Sequence, residues 1–448
     1  QRRAGEPHDF ITLIVCRFVC KQWREVIPRL DEELSPNDFF AWEAASRGYL
    51  ELLKWARANG CGWDADVCYH ASNAGRLDIL KWAKENGCKW DDSTCFGAAK
   101  AGHLDILKWA RENGCSWNGN VCWIAAAKGR FEMLKWARAQ GCPWDAESIT
   151  AAAARGGNLE LLKWVREEGC PWNHTTCNLA ARYGRLEVLK WLAEQGCTMD
   201  ELACTAAAQQ GHLEVLKWAS ANGYLDKSNP FLCQGAAARG HIEVLEWLRE
   251  NDCPWQGIHH SAVMGRQLKV LKWASENGCV MTDTATLCDT AAAGGDIELL
   301  KWLRAEGCPW SERTCARAAE GGNLEVLKWL RANGCSWNLK ICTGAASRGH
   351  LEVLKWAREN GCEWDAEVCT NAASEGHLEV LKWARENGCD WYENAGPSAA
   401  RNGHLEVLKW MVANGFDWDT DVIDAAVKYG HMGVVEWAKA NGCPEKIW

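Results

Sequence analysis

The sequence has no long apolar run and no excess of basic residues. No apolar stretch approaches the roughly 18 residues that cross a membrane, so we expect no membrane partner. The net charge is −9 and the isoelectric point about 5.8, with acidic and basic residues interspersed. Because affinity for nucleic acids depends on neutralising phosphates, this charge predicts no nucleic-acid partner.

Catalytic signatures are also missing from the sequence. It contains no G-x-S-x-G, no phosphate-binding loop and no H-E-x-x-H. We therefore expect no enzymatic activity, no cofactor and no metal site. The N-terminal residues do not form a secretory signal pattern. A count of 25 Cys in a chain long enough to have its own core is typical of a reducing compartment, so we expect a cytoplasmic or nuclear protein.

Methionine and tyrosine are scarce, whereas tryptophan, cysteine and glycine are abundant. The chain of 448 residues has 6 Met and 6 Tyr but 30 Trp, 25 Cys and 41 Gly. A bias of this strength indicates internal repeats. The Trp of an L-K-W motif, which reads L-E-W at Trp247 and V-E-W at Trp437, recurs fifteen times between Trp55 and Trp437, and ten of the fourteen spacings are 27 residues. The sequence therefore predicts about fifteen repeats.

One repeat, residues 365–388, has the pattern of two helices. Asp365 precedes the first helical run and suits an N-cap, while Gly376 and Gly388 suit the ends of the two helices. The second helix has one wide apolar face that includes Trp383, which we expect to be buried between repeats. Such a pair cannot bury its apolar face alone. We therefore predict an all-α, helix-turn-helix repeat solenoid.

The cysteines allow two interpretations. Thirteen Cys follow the second helix, twelve of them directly after its glycine, and ten lie on the first helix. They could form zinc sites or a disulfide ladder, or they could be small buried hydrophobic residues. Equivalent Cys of neighbouring repeats should lie about 10 Å apart, since helices pack at about 8–10 Å. That distance is too long for a disulfide, so the sequence favours buried, unpaired thiols.

The positions that vary between repeats are the candidates for partner binding. The two residues that follow the first-helix Cys vary most, and large aromatic side chains among them cluster near the N-terminus. Two alternatives stay open, because these side chains could contact either a partner or the neighbouring helices. The candidates are Tyr69, His70, Phe96, Trp123, Asn178, Arg317 and Asn371.

The repeat resembles a known family. AASEGHLEVLKWARENG, residues 372–388, resembles the ankyrin repeat, and the resemblance covers about residues 36–448. The T-P-L-H motif of that family is absent, and the period is 27 residues where ankyrin repeats have 33. The resemblance implies helix pairs joined by short loops, with the β-hairpin fingers of the family trimmed away. We assign residues 35–448 to this ankyrin-like array.

A second resemblance concerns residues 1–34. The run FVCKQWR, from Phe18 to Arg24, resembles the last helix of an F-box, and Ile14, Phe18, Val19 and Trp23 suit one helix face. The resemblance implies that residues 8–27 dock onto the adaptor of a ubiquitin ligase. The alternative is a helix that caps the first repeat.

Together these patterns predict a protein–protein interaction scaffold. Its narrower form is an F-box-type substrate receptor of a ubiquitin ligase, and that form depends on the F-box resemblance alone. The alternative is a structural or self-assembling repeat array with no ligase link.

Deleting residues 1–34 tests the ligase prediction. We expect affinity capture from a eukaryotic lysate to recover adaptor and cullin subunits with the whole chain and not with the deletion variant, as read by mass spectrometry. Recovery of neither subunit with the whole chain would leave the N-terminal segment as a cap.

Overall fold

The computed structural model describes residues 38–58, 62–418 and 420–444. These residues form helix pairs in tandem, and no strand occurs among them, which confirms the predicted all-α repeat array of fifteen helix pairs. In each repeat a first helix and a second helix are joined by a short turn. The chain divides into two compact units, Gln1–Met199 and Asp200–Trp448.

The described part of the first unit contains six repeats. Its helices are α1 (Asp38–Arg47), α2 (Leu50–Ala58), α3 (Ala65–Asn73), α4 (Leu77–Glu85), α5 (Asp92–Ala101), α6 (Leu104–Glu112), α7 (Gly119–Ala127), α8 (Phe131–Ala139), α9 (Ala146–Gly156), α10 (Leu159–Glu167), α11 (His174–Arg182) and α12 (Leu186–Glu194). First helices have odd numbers and second helices even numbers.

The described part of the second unit contains nine repeats. Its helices are α13 (Glu201–Gln209), α14 (Leu213–Ala221), α15 (Phe231–Arg239), α16 (Ile242–Glu250), α17 (Ile258–Met264), α18 (Leu268–Glu276), α19 (Thr284–Gly294), α20 (Ile297–Ala305), α21 (Glu312–Glu320), α22 (Leu324–Ala332), α23 (Lys340–Ser347), α24 (Leu351–Glu359), α25 (Glu367–Ser374), α26 (Leu378–Glu386), α27 (Ala395–Arg401), α28 (Leu405–Ala413), α29 (Thr420–Lys428) and α30 (Met432–Ala440).

Polar N-caps start several of the first helices, as the sequence predicts, whereas the N-cap of α25 is Ala366, one residue after the predicted Asp365. The Asp91 carboxylate accepts a hydrogen bond from the Ser93 N–H at 2.9 Å, and the Asp365 carboxylate accepts one from the Glu367 N–H at 3.0 Å. Each bond satisfies a backbone donor that has no partner within its helix. Glycine then ends both helices of the repeat, because Gly376 and Gly388 have φ values of 82° and 80°, which other residues rarely adopt.

Small side chains allow the first helices of each unit to pack side by side. Their buried faces contain alanines such as Ala98 and Ala99, and Gly97 of α5 lies directly against α3. A Cβ at Gly97 would lie only 2.9 Å from the Tyr69 carbonyl oxygen. Each second helix adds a buried stripe of Val, Leu and Ala to its own first helix. The core is therefore built from small and branched residues.

The prediction that the L-K-W tryptophans are buried is wrong. Every Trp in the described part of the chain is half-buried. Instead, the loop Trp of one repeat meets the helix Trp of the next in an edge-to-face contact. Trp117 and Trp136 show this arrangement at a centroid distance of 5.7 Å, with the Arg111 guanidinium 4.2 Å from the Trp117 ring centroid. These contacts join neighbouring repeats at the surface.

The prediction of unpaired thiols is wrong for one pair. Cys177 and Cys197, in the repeat formed by α11 and α12, are joined by a disulfide. The long separation expected from the sequence applies to equivalent cysteines of neighbouring repeats, whereas this bond joins two cysteines of one repeat. The other cysteines of the described residues are not disulfide-bonded, and all but Cys279 are buried.

Removing one N-cap should destabilise the array locally. For Asp91→Ala we expect a loss of about 1 kcal/mol in the free energy of unfolding, because the Ser93 N–H loses its acceptor. Asp91→Asn keeps a side-chain oxygen and is the matched control. Urea unfolding with an unchanged slope would measure the loss, and equal losses in both variants would contradict the cap's role.

The contact between Trp117 and Trp136 should contribute a measurable coupling energy. A double-mutant cycle with Trp117→Leu and Trp136→Leu should give about 0.5–1.5 kcal/mol, which is the usual worth of an aromatic pair beyond its burial. Additive losses in the two single variants would show that the rings pack on the surface without stabilising each other.

Candidate functional site

Four aromatic side chains occupy the same position on four consecutive first helices. Trp42, Tyr69, Phe96 and Trp123 belong to α1, α3, α5 and α7, and all four are half-buried. We call these four residues the aromatic row. Neighbouring first helices pack against each other, so the row crosses four adjacent helices of the first unit.

The helix geometry explains why the row is half-exposed. Each of Tyr69, Phe96 and Trp123 directly follows a buried Cys that points into the core. The next residue on an α-helix is turned by about 100°, which places its side chain at the margin of the core. One flank of each ring is therefore packed on protein and the other faces solvent.

A histidine and a lysine hold the first half of the row in place. The His70 ring stacks on Trp42 at a centroid distance of 4.3 Å and an interplanar angle of 22°, and it meets the Tyr69 ring edge-on at 5.0 Å. The Lys100 ammonium donates a hydrogen bond to the Tyr69 hydroxyl oxygen at 3.3 Å. These contacts give the rings defined orientations before any partner binds.

Burial lowers the pKa of His70 below its usual value, although the carboxylates of Asp66 and Glu43 oppose the shift. The imidazole is therefore neutral at neutral pH. A neutral ring can stack on Trp42 without the cost of burying a charge.

An arginine completes the other end of the row. The Arg155 guanidinium lies 5.5 Å from the Trp123 ring centroid and 4.8 Å from the Tyr183 ring centroid. Sequence reasoning did not identify Trp42, Arg155 or Tyr183. Aligning the first repeat on its Ala44-Ala45 pair would have placed Trp42 in the row, but the contacts of Arg155 depend on packing between helices.

Charged groups flank the row on both sides. The N-terminal ends of the first helices carry an acidic edge and their C-terminal ends a basic edge, as the helix dipole favours. The two edges are separated by about eight residues of helix, or roughly 12 Å. The acidic edge comprises Asp64, Asp66, Asp91, Asp92, Asp145 and Glu147, and the basic edge comprises Lys100, Lys128, Arg155 and Arg182.

The remaining sequence candidates do not join the row. Asn178 on α11 is half-buried and has the same register, but Ala151 occupies that register on the intervening α9. Arg317 and Asn371 belong to the second unit. Arg317 is exposed and forms a 2.5 Å ion pair with Glu320 of its own helix, whereas Asn371 is half-buried. Their roles in binding stay predictions.

Some sequence candidates fall outside the described residues. Ile14, Phe18, Val19 and Trp23, predicted to dock an adaptor, are among them. Within the described ranges, no group of three or more His, Cys, Asp or Glu side chains could hold a metal ion. None of the helices described is long and apolar enough to cross a membrane.

Comparison with known proteins gives a limited result. No protein-family model and no curated protein match the chain. Two crystal structures similar to it are of the pentatricopeptide repeat protein PPR10 in complex with an 18-nucleotide psaJ RNA element, and one of the two carries three Cys-to-Ser substitutions. Both have 14% identity and a TM-score of 0.31, and cover 98% of this chain and 78% of that chain. A likeness this loose transfers no residue and no activity.

The prediction of no nucleic-acid partner is corrected by this comparison, because the repeat protein in both similar structures holds RNA. Net charge was a poor criterion because it averages over the whole chain. Residues 38–199 contain 20 Lys and Arg against 19 Asp and Glu, and the first helices separate the two signs into different edges. Binding experiments must therefore include RNA. The fold itself is a tandem array of helical repeats.

Proposed function

We propose that the chain is a scaffold that binds a protein partner along the aromatic row. The observation that carries this proposal is the row itself: four half-exposed rings on adjacent, rigidly packed helices. Tryptophan and tyrosine are the commonest interface anchors, because they bring a large contact area and have few rotamers to immobilise. The contacts of His70, Lys100 and Arg155 support it further by orienting the rings in advance.

The spacing of the row suits an extended peptide segment. Neighbouring packed helices lie about 8–10 Å apart, and an extended chain advances about 3.3 Å per residue. Every third residue of such a segment would therefore meet a new ring. The partner's side chains would be basic where they face the acidic edge and acidic where they face the basic edge. A polyphosphate backbone would complement the basic edge only.

The proposal has two narrower forms: that the repeats are of the ankyrin type, and that the chain is a substrate receptor of a ubiquitin ligase. The ankyrin form rests on the A-A-x-x-G-H-L-E-V-L-K pattern, and the ligase form on the F-V-C-K-Q-W-R run. A peptide-binding array in front of an adaptor-docking segment would act as a substrate receptor, and the deletion of residues 1–34 tests that link separately.

Self-assembly is a second candidate function, favoured by the last repeat. Val427, Tyr429 and Met432 of this repeat are 53%, 48% and 56% exposed. Met432→Lys would place a charge on this surface. A concentration-dependent increase in sedimentation coefficient that this variant abolishes would support self-assembly.

Substitutions in the row test the proposal. We expect Phe96→Ala combined with Trp123→Ala to weaken capture of protein partners from a lysate at least tenfold, because the two substitutions remove half of the anchoring rings of the row. Tyr392→Ala is the matched control, since Tyr392 is an aromatic residue that is 50% exposed on the second unit. Circular dichroism of each variant would confirm the helical fold.

The same chain and variants are also tested for retention of a pool of random single-stranded RNA. Retention of RNA that depends on the row, with no protein captured through it, would overturn the proposal in favour of nucleic-acid binding. Equal capture of proteins by the row variant and the Tyr392 variant would place the binding surface elsewhere.

A further inference from the structure

Two cysteines meet within many of the repeats. One lies on the first helix and the other follows the second helix, twenty residues later in the sequence. In six repeats the two thiols lie close enough to shift each other's pKa, as Cys68–Cys88, Cys95–Cys115, Cys122–Cys142, Cys315–Cys335, Cys342–Cys362 and Cys369–Cys389. The disulfide Cys177–Cys197 occupies the same positions in a seventh repeat.

The turn at the end of the second helix creates each pair. Gly388 reverses the chain, and the Cys389 N–H donates to the Ala384 carbonyl at 3.0 Å. The Cys389 thiol then donates to the carbonyl of Asp365, the residue before the N-cap of α25, at 3.2 Å, and the Cys369 thiol lies 3.7 Å from the Cys389 carbonyl oxygen. The cysteine that follows the second helix, called the loop cysteine from here on, therefore lies next to the start of the first helix of its own repeat.

The two thiols of a pair differ in acidity. Their direct contact raises the pKa of Cys68 and lowers that of Cys88, while burial raises both. The loop cysteine is consequently the thiol that ionises first, and a thiolate is the attacking species in disulfide exchange. Cys68 is 0% exposed and Cys88 is 3% exposed, so a reagent reaches the pair only when the loop opens locally.

We propose that these pairs are modification sites, at which a small-molecule disulfide such as oxidised glutathione converts two thiols into a disulfide within one repeat. The loop thiolate attacks one sulfur of the reagent and releases one reduced small thiol. The first-helix thiol then loses its proton and attacks the mixed disulfide, which releases the second small thiol. The two cysteines are oxidised, the reagent is reduced, and both cysteine protons end on the released thiols.

The geometry permits this bond in the folded chain. The Cα atoms of Cys177 and Cys197 are 6.8 Å apart, which lies within the range that disulfides span. The corresponding cysteines of the six thiol pairs have the same places in their repeats. Each new bond would tie a first helix to the end of its own repeat and would leave neighbouring repeats unlinked.

The chain contains its own controls. Cys170 has Thr150 at the partner position, Cys204 has Tyr224, and Cys279 has His259, whose Nδ1 lies 3.9 Å from the thiol. These three cysteines cannot form the twenty-residue bond, so a reagent should leave them as free thiols or as mixed disulfides.

Peptide mapping tests the proposal. The whole chain would be fully reduced, incubated with oxidised glutathione, alkylated, digested and analysed by mass spectrometry. We expect linked peptides for the six pairs and for Cys177–Cys197, each with the loss of two hydrogen atoms. Cys170 and Cys204 should carry the alkylating agent or glutathione. The proposal would be overturned if the thiols of all six pairs can still be alkylated after incubation at temperatures up to the onset of unfolding. It would also be overturned if disulfides form mainly between repeats or between chains.

A variant with one pair removed makes the assignment specific. Cys88→Ser keeps a donor for the Asp64 carbonyl, which accepts from the Cys88 thiol at 3.2 Å. The Cys68–Cys88 link should vanish and the Cys95–Cys115 link should remain. Oxidation should also raise the melting temperature of the wild-type chain, and dithiothreitol should reverse the rise. A lower melting temperature on oxidation, or a Cys68 that links to another cysteine in the variant, would contradict the proposed pairing.

Discussion

The close packing of one first helix against the next is the interaction on which the rest of this structure depends. It requires small residues at the contact, which is why alanine and Gly97 occupy it and why a Cβ at Gly97 would collide with the Tyr69 carbonyl. The tryptophans are half-buried and join neighbouring repeats through ring contacts such as Trp117–Trp136, and the aromatic row crosses four first helices that pack side by side.

Much of the fold could be predicted from the sequence because the repeat contains residues that typically start and end helices. Asp365 and Gly388 identify a helix start and a helix end through requirements of the backbone, which do not depend on tertiary context. The position of Trp383 could not be predicted this way. An apolar arc on a helical projection does not distinguish a buried side chain from one that lies half-exposed against a neighbouring ring, and Trp383 is the second kind.

The candidate site could be predicted only in part. Tyr69, Phe96 and Trp123 stand out in an alignment of repeats because they vary where the scaffold is constant, but their grouping with Trp42 and Arg155 arises from contacts between helices. The thiol pairs were missed for a similar reason. Comparing equivalent cysteines of adjacent repeats ignored the turn that brings Cys88 back to Cys68. The net charge was a poor basis for the prediction about nucleic acids, because an acidic chain can still separate its charges into an acidic and a basic edge.

The central claim is that a protein partner lies across the aromatic row, and site-specific photo-crosslinking tests it most directly. A photoreactive benzoylphenylalanine would replace Phe96 in one chain and Tyr392 in another, and each would be irradiated in a lysate. If a protein partner lies across the aromatic row, a discrete protein should be cross-linked from position 96 and should not be cross-linked from position 392. Cross-links from position 96 to RNA alone, or the same protein from position 392 and none from position 96, would contradict it.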